Sequence, residues 1–221
     1  MAALLSAQAQ APAASGSVMS FTATTANVSG APDSIRIDIL RWSTEAERDK
    51  LMSAWNTKGQ GSGPSAPARG GAPGGRGAGA RGGRAGARGA SENAPPPTSE
   101  GALAAALQEA GTVGYLWSSE VAGYALRYAG KLPGPSGTER IVLITDRRLG
   151  TANDLWKPAG QEPPSPYGFS VIELRVNAKG DGEGKISLTG KVAPDADAKI
   201  VALEDYVALP VVLSHLKRRG K

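Results

Sequence analysis

The sequence contains no cysteine, a single histidine and few aromatic residues. Of its 221 residues, none is Cys, one is His (His215) and 5% are Phe, Trp or Tyr. Without cysteine the chain cannot form disulfide bonds, thiolate zinc sites, iron–sulfur clusters or a cysteine nucleophile. One histidine excludes a site built from several histidines. We therefore expect no metal site and no cofactor.

Long apolar runs are also missing. No stretch approaches the ~20 apolar residues of a membrane-spanning helix, so no membrane span is predicted. Residues 1–16 instead include Ala7-Gln8-Ala9, which has the small-x-small form of a secretory cleavage site. Because no basic residue and only a short apolar run precede it, we expect the remnant of a longer signal peptide, cleaved after Ala9. The predicted location is periplasmic or secreted, and an alanine-rich tail on a cytoplasmic protein is the alternative.

The positive charge is concentrated in one segment. The chain has a formal net charge of +5, yet residues 57–91 hold six basic residues and no acidic one. These are Lys58, Arg69, Arg76, Arg81, Arg84 and Arg88. The rest of the chain is close to neutral, which argues against a broad basic face for nucleic acid or anionic lipid.

Residues 57–101 consist mainly of Gly, Ala, Arg, Pro and Ser. Such a segment buries too little apolar surface to offset its chain entropy, so the composition predicts a disordered insert. Two Arg-Gly-Gly triplets, at 69–71 and 81–83, give an alternative role in nucleic-acid binding. Its contacts would come from Arg69, Arg76, Arg81, Arg84 and Arg88. No aromatic residue interleaves them, so the interpretation reduces to weak, salt-sensitive polyanion binding.

Local patterns predict strands on either side of this insert. Ile35, Ile37 and Ile39 alternate with other residues in a strand over 34–42, and the apolar run 141–144 predicts a central buried strand. Further strands are expected at 17–26, 113–117, 124–128, 169–176, 185–192, 200–203 and 207–213. The Gly-rich segment 177–184 predicts a hairpin turn.

Two helices are expected between the second and third strands. A capping box from Thr44 to Glu47 starts the first, and Ser99 caps the second. This order predicts an α+β domain with a mainly antiparallel sheet and a helix pair interrupted by the insert. The single domain would comprise residues 17–56 and 102–216, followed by a basic tail at 217–221.

Four short blocks carry a resemblance that spans most of the expected domain. They are RWSTEAER (41–48), LRYA (126–129), ITDR (144–147) and EGK (183–185). These blocks resemble those of a group of uncharacterised secreted bacterial proteins with no assigned activity. The resemblance implies export and transfers no catalytic residue. It also implies that relatives join the two helices directly, which makes the insert peculiar to this chain.

One constellation of polar residues is a candidate binding site. Asp146 and Arg147 end the most apolar strand, where binding groups often project, and Arg147 could hold a carboxylate or a phosphate. Arg127 and Tyr128 complete the predicted group. A salt bridge between neighbouring strands is the alternative interpretation of the same residues.

Other candidates lack the partners that their chemistry needs. His215 has no oriented partner in the sequence, which a general base requires. The motif Ser214-x-x-Lys217 resembles a penicillin-recognising nucleophile, but its companion motifs are absent. The acidic residues of two loops do not have calcium-loop spacing and are predicted as polar turn residues. They are Asp181, Glu183, Asp195 and Asp197.

These observations favour an exported, non-catalytic binding or structural module whose partner the sequence does not identify. Two alternatives stay open. One is a nucleic-acid-associated protein that uses the Arg/Gly-rich insert, and the other is an enzyme, such as a hydrolase, without a recognisable motif.

Overall fold

The computed structural model describes residues 16–57, 98–119, 122–151, 156–160 and 163–220. The predicted signal-peptide remnant, most of the predicted insert and all six of its basic residues lie outside these ranges. Within them the chain forms two α-helices, a short 3-10 helix at Pro135–Gly137 and twelve strands. In chain order they are β1 (Met19–Thr25), β2 (Val28–Ser29), β3 (Ser34–Ile39), α1 (Glu45–Asn56), α2 (Ser99–Glu109), β4 (Gly114–Trp117), β5 (Gly123–Pro133), β6 (Glu139–Thr145), β7 (Lys157–Pro158), β8 (Val171–Val176), β9 (Asp181–Ile186), β10 (Val192–Asp195), β11 (Ile200–Leu203) and β12 (Leu213–Arg219).

Eight of these strands close into a barrel. Their order around it is β1-β3-β4-β5-β6-β8-β9-β12, and β12 pairs with β1. Every pair is antiparallel. Apart from the closing pair of β12 and β1, each barrel strand pairs with the barrel strands before and after it in the sequence, as in an up-and-down barrel. The other four strands form the two-stranded sheets β10-β11 and β2-β7.

The predicted α+β fold class is therefore wrong. The helices have only 12 and 11 residues, and the sheet closes on itself instead of forming an open layer. The closing strand was concealed by its charge, because Lys217, Arg218 and Arg219 indicated a basic tail. In the barrel these residues pair with β1, and Arg218 lies opposite Phe21.

Apolar side chains fill the barrel interior. Alternate residues of a strand point to the same face, so Ile35, Ile37 and Ile39 of β3 all point inward and are buried. Phe21 of β1 and Leu143 of β6 are completely buried in the same cluster. An interior of eight strands is just wide enough for side chains to fill.

A second apolar layer covers part of the outer wall. Ile141 and Leu143 of β6 face the interior, whereas Val142 and Ile144 face outward and are equally buried. Their cover consists of α1, α2 and the β10-β11 hairpin. The prediction of a central buried strand at 141–144 is confirmed. Neither of the described helices is long and apolar enough to cross a lipid bilayer.

The helix starts follow their capping residues. The predicted capping box is confirmed, since the Thr44 hydroxyl accepts from the Glu47 amide and the Glu47 carboxylate accepts from the Thr44 amide. Arg41 adds two hydrogen bonds to this carboxylate, of 2.7 and 2.8 Å. The second helix begins inside the predicted insert, and its cap is Thr98 instead of Ser99.

A buried glutamate joins the barrel wall to the outer hairpin. Glu173 of β8 is fully buried, and Arg140 of β6 donates two hydrogen bonds of 2.9 Å to it. Arg140 also donates to Asp195 of β10 at 2.8 Å. Arg175, 3.2 Å from Glu173, lies 3.6 Å above the ring of Tyr206. Because opposite charges meet here with good geometry, the network can be buried without leaving a charge alone.

Removing the Glu173 charge should destabilise the whole barrel. We expect Glu173→Gln to lower the free energy of unfolding by about 3 kcal/mol, because Arg140 would keep a partly buried charge without its main partner. Urea unfolding with an unchanged m-value measures this loss. Glu45→Gln is the control, since that carboxylate is 87% exposed and lies 4.0 Å from Arg48. A loss below about 1 kcal/mol for Glu173→Gln would contradict the role given to the network.

The Glu47 carboxylate should make the stability of α1 depend on acid pH. Hydrogen bonds from Arg41 and Thr44 lower the pKa of Glu47 from its ordinary value of 4.5 to about 2. Its stabilisation is therefore complete above pH 4.5 and is lost as pH falls towards 2. Because the Glu47 side chain is 36% exposed and screened by solvent, we expect Glu47→Gln to destabilise the protein by only about 0.5–1 kcal/mol at pH 7, and by progressively less as pH falls through 2. Urea titrations across this range test it, and a difference that is independent of pH would contradict it.

Candidate binding groove

The structure brings two of the four predicted site residues together. Nη2 and Nε of Arg127 on β5 donate to Oδ2 of Asp146, immediately after β6, at 2.8 and 3.1 Å. Nη1 of Arg127 donates to the carbonyl oxygen of Ala110 and to the hydroxyl of Thr112, both at 2.9 Å. The side chain of Gln108 donates to the Asp146 carbonyl. The Arg127–Asp146 ion pair thus connects β5 to the end of β6, and Arg127 also holds the chain that follows α2. This agrees with the alternative interpretation of these residues, a salt bridge between neighbouring strands.

Arg147 and Tyr128 lie apart from this ion pair. The guanidinium of Arg147 lies 5.1 Å from the ring centre of Tyr124 and donates to the carbonyl of Gly123 at 3.0 Å. Tyr128 packs in the outer apolar layer among residues such as Leu51 of α1. The predicted four-residue site therefore does not form as a unit.

The remaining candidates are engaged elsewhere. His215 is exposed in β12, where its Nδ1 lies 3.0 Å from the Thr24 hydroxyl. Asp181 and Glu183 belong to β9, because the hairpin turn before them is shorter than the predicted 177–184. Asp195 pairs with Arg140. Within the described ranges, no three His, Cys, Asp or Glu residues are grouped so that they could hold a metal ion.

A groove of about 570 Å³ lies on the outer wall of the barrel, at one end. Its floor is the second half of β5, residues 128–133. One wall contains Trp42, Ser43 and Arg48, and the other is the 197–199 turn between β10 and β11. This volume is within the ~300–1,000 Å³ typical of small-ligand sites.

Tyr128 gives the groove its most distinctive polar atom. The residue is only 4% exposed and its hydroxyl makes no hydrogen bond with any described residue, but the hydroxyl oxygen itself keeps contact with solvent. A Cβ atom on Gly130 would lie 2.5 Å from that hydroxyl, so the ring lies across Gly130 on the outer face of β5. Burial raises the pKa of the phenol, which therefore keeps its proton and can act as a donor.

The charges around this hydroxyl are mainly positive. The Arg48 side chain is 18% exposed and is paired with two largely exposed acids, Asp49 at 3.0 Å and Glu45 at 4.0 Å. Lys199 and Asp197 form no ion pair with the described residues. Lys131 is held by Glu139 at 2.8 Å. The positive charge of Arg48 acts on the Tyr128 hydroxyl, and this local field favours an anion over a cation as ligand.

Of the groove residues, only Tyr128 was in the predicted site. Trp42, Ser43, Arg48 and Lys199 come from segments that are distant in sequence and meet only in the folded barrel. Gly130 carried the one usable signal, because a glycine inside a strand often marks a close approach of another group.

Comparison of the chain with protein-family models, curated proteins and solved structures gives no match. The resemblance to secreted bacterial proteins therefore stays a prediction.

The Arg127–Asp146 pair should act on stability. We expect Asp146→Asn to cost about 2 kcal/mol of unfolding free energy, because Arg127 loses its charged partner in a partly buried site. Arg147→Gln is the matched control, with an expected cost below about 1 kcal/mol from the lost contact with Tyr124. Thermal and urea unfolding give both values. An unchanged stability of Asp146→Asn would instead favour the predicted ligand site.

Proposed function

We propose that this protein is an exported, non-catalytic binding module that holds a carboxylate-bearing ligand in the Tyr128 groove. The observation that carries the proposal is the Tyr128 hydroxyl, a protonated donor without a partner among the described residues, beside Arg48. A carboxylate accepts hydrogen bonds only and carries one negative charge, so it is complementary to this pair.

The apolar part of the groove suggests the rest of the ligand. Trp42, Leu132 and Pro133 offer apolar surface next to the polar end. Apolar lining with a few placed polar groups is typical of binding sites, since burial gives affinity and the polar groups orient the ligand. An amphipathic ligand with one acidic end would use both parts.

The described lining supports binding over catalysis. Its hydroxyl groups are Tyr128, with a raised pKa, and Ser43, which accepts from the Ala129 amide at 3.0 Å. Neither hydroxyl is hydrogen-bonded to a carboxylate or an imidazole of the described residues, the arrangement by which covalent catalysis activates such a group.

Export is the second part of the proposal, and it rests on sequence. Its support is the Ala7-Gln8-Ala9 site and the resemblance to secreted proteins. Fractionation of the native cells and sequencing of the mature protein would test it. A cytoplasmic protein that keeps residues 1–9 would contradict it.

Benzoate is a suitable first probe, because it combines a carboxylate with a flat apolar ring. We expect saturable shifts of the Gly130 and Lys199 amide resonances with a dissociation constant of about 1–10 mM, as for a fragment of this size. Tyr128→Phe keeps the ring and should weaken binding about tenfold, the effect of one hydrogen bond to a charged group.

The matched control is Tyr115→Phe, which removes a hydroxyl outside the groove. This variant should bind benzoate as the natural protein does. Equal affinities of the Tyr128→Phe and Tyr115→Phe variants, or shifts that do not saturate, would contradict the proposed function.

A further inference from the structure

The two strands beside the groove differ in length. β5 has eleven residues, Gly123–Pro133, whereas β4 has four and pairs only with the first part of β5, from Gly123 to Leu126. On its other side β5 pairs with β6 as far as Pro133. The second half of β5 therefore has a β-strand partner on one side only.

Ser43 covers the first part of this edge. Its amide donates to the Ala129 carbonyl at 2.9 Å, and its hydroxyl accepts from the Ala129 amide at 3.0 Å. The backbone of Ala129 thus points away from β6. After Ser43 the chain turns into α1, so its cover of β5 ends there.

The next backbone that points away from β6 belongs to Lys131. In an antiparallel pair, the residues of one strand alternate between bonding to the neighbour and facing the opposite side. Lys131 stands two residues after Ala129, and its N–H and C=O make no hydrogen bond with the described residues outside the β5-β6 ladder. Two residues after Lys131, Pro133 has no N–H to donate, so the edge that can pair with an added strand ends there.

We infer that an extended peptide segment with an acidic residue binds in the groove by adding a strand to the free edge of β5 at Lys131. The inference rests on the proposed function and names its ligand class. One peptide residue would exchange two backbone hydrogen bonds with Lys131, as in other cases of strand addition to a sheet edge. The groove runs along this edge, with Lys131 in its lining.

The pleat fixes where the acidic side chain must stand. Tyr128, Gly130 and Leu132 share the outer face of β5, because they alternate with Ala129 and Lys131. In the added strand, the residues directly before and after the one opposite Lys131 point to that same face. An acidic side chain at either of these positions is next to the Tyr128 hydroxyl. The expected peptide therefore has one residue that pairs with Lys131 and an acidic residue directly before or after it.

Charge favours such a peptide over a second copy of the chain. Two copies joined edge to edge at β5 would form a symmetric contact and place two groove linings side by side, each with three basic residues and one acidic residue. Like charges there would oppose the contact. An acidic peptide instead supplies the opposite charge.

The test uses a blocked pentapeptide, acetyl-Ser-Val-Glu-Val-Ser-amide, titrated into the full chain. Binding is followed by the amide resonances of Gly130 and Lys131. We expect N-methylation of both valines to weaken binding at least tenfold, because it removes the donors that face β5. N-methylation of the glutamate alone should change affinity less than twofold, because that N–H points away from β5.

Two variants of the protein test the same backbone hydrogen bonds by changing Lys131 instead of the peptide. Lys131→Gln keeps the backbone N–H and should bind the peptide within about threefold of the natural chain. Lys131→Pro removes that N–H, which an edge position tolerates, and should bind at least tenfold more weakly. Should Lys131→Pro fail to fold, the N-methylated peptides carry the test alone.

The outcomes separate the two proposals. Benzoate binding without peptide binding, or equal effects of all N-methyl groups, would overturn the added strand and leave the proposed function standing. A Glu→Gln peptide that binds as well as the parent would overturn the acidic-residue requirement and count against the proposed carboxylate ligand. Self-association in sedimentation that the peptide does not reverse would overturn the peptide in favour of a second copy.

Discussion

The pairing of the last strand with the first is the constraint on which the rest of this structure depends. Because β12 lies beside β1, the sheet has no outer strand, and alternate side chains must point into a common interior. With eight strands that interior is narrow, and side chains such as Phe21 and Ile37 fill it. A filled interior places ligand binding on the outer wall or at the ends of the barrel.

Closure also creates the groove, because the strands that close the barrel differ in length. β5 extends beyond β4, and the chain between β3 and β4 covers only Ala129 of the extension before it enters α1. Exposed strand edges invite pairing with other chains, so proteins usually cover or shorten them. Here the edge is short, ends at Pro133 and has a wall on each side, so a single extended segment fits it better than a whole sheet.

Features that depend on neighbouring residues could be predicted from the sequence, and features that depend on long-range pairing could not. The capping box at Thr44 and the buried run 141–144 are local, and both are confirmed. The closure of the barrel joins β1 to β12 near the other end of the chain, and no local pattern encodes that contact. Charge was a misleading signal for β12, because Lys217 is exposed and Arg218 is paired with Glu139 while the backbone of both residues pairs with β1. The groove was missed for the same reason as the closure, since its walls come from three separate segments.

The unmet hydrogen-bonding groups give the strongest link between fold and function. Elsewhere the described chain pairs most of its buried polar side-chain atoms, with Asp146 Oδ1 and Arg218 Nε as exceptions. Glu173, with its two arginine partners, illustrates the general pattern. Against that background, the Tyr128 hydroxyl and the Lys131 amide are donors without protein partners on the same short stretch of β5. The Tyr128 oxygen keeps some solvent contact, so a ligand there would exchange a hydrogen bond to water for one to a charged group, a net gain of about 1.5–3 kcal/mol. A ligand that offers oxygen atoms to both donors would add this gain to the backbone hydrogen bond at Lys131, and an extended backbone with an acidic side chain presents two acceptors at the spacing of a strand.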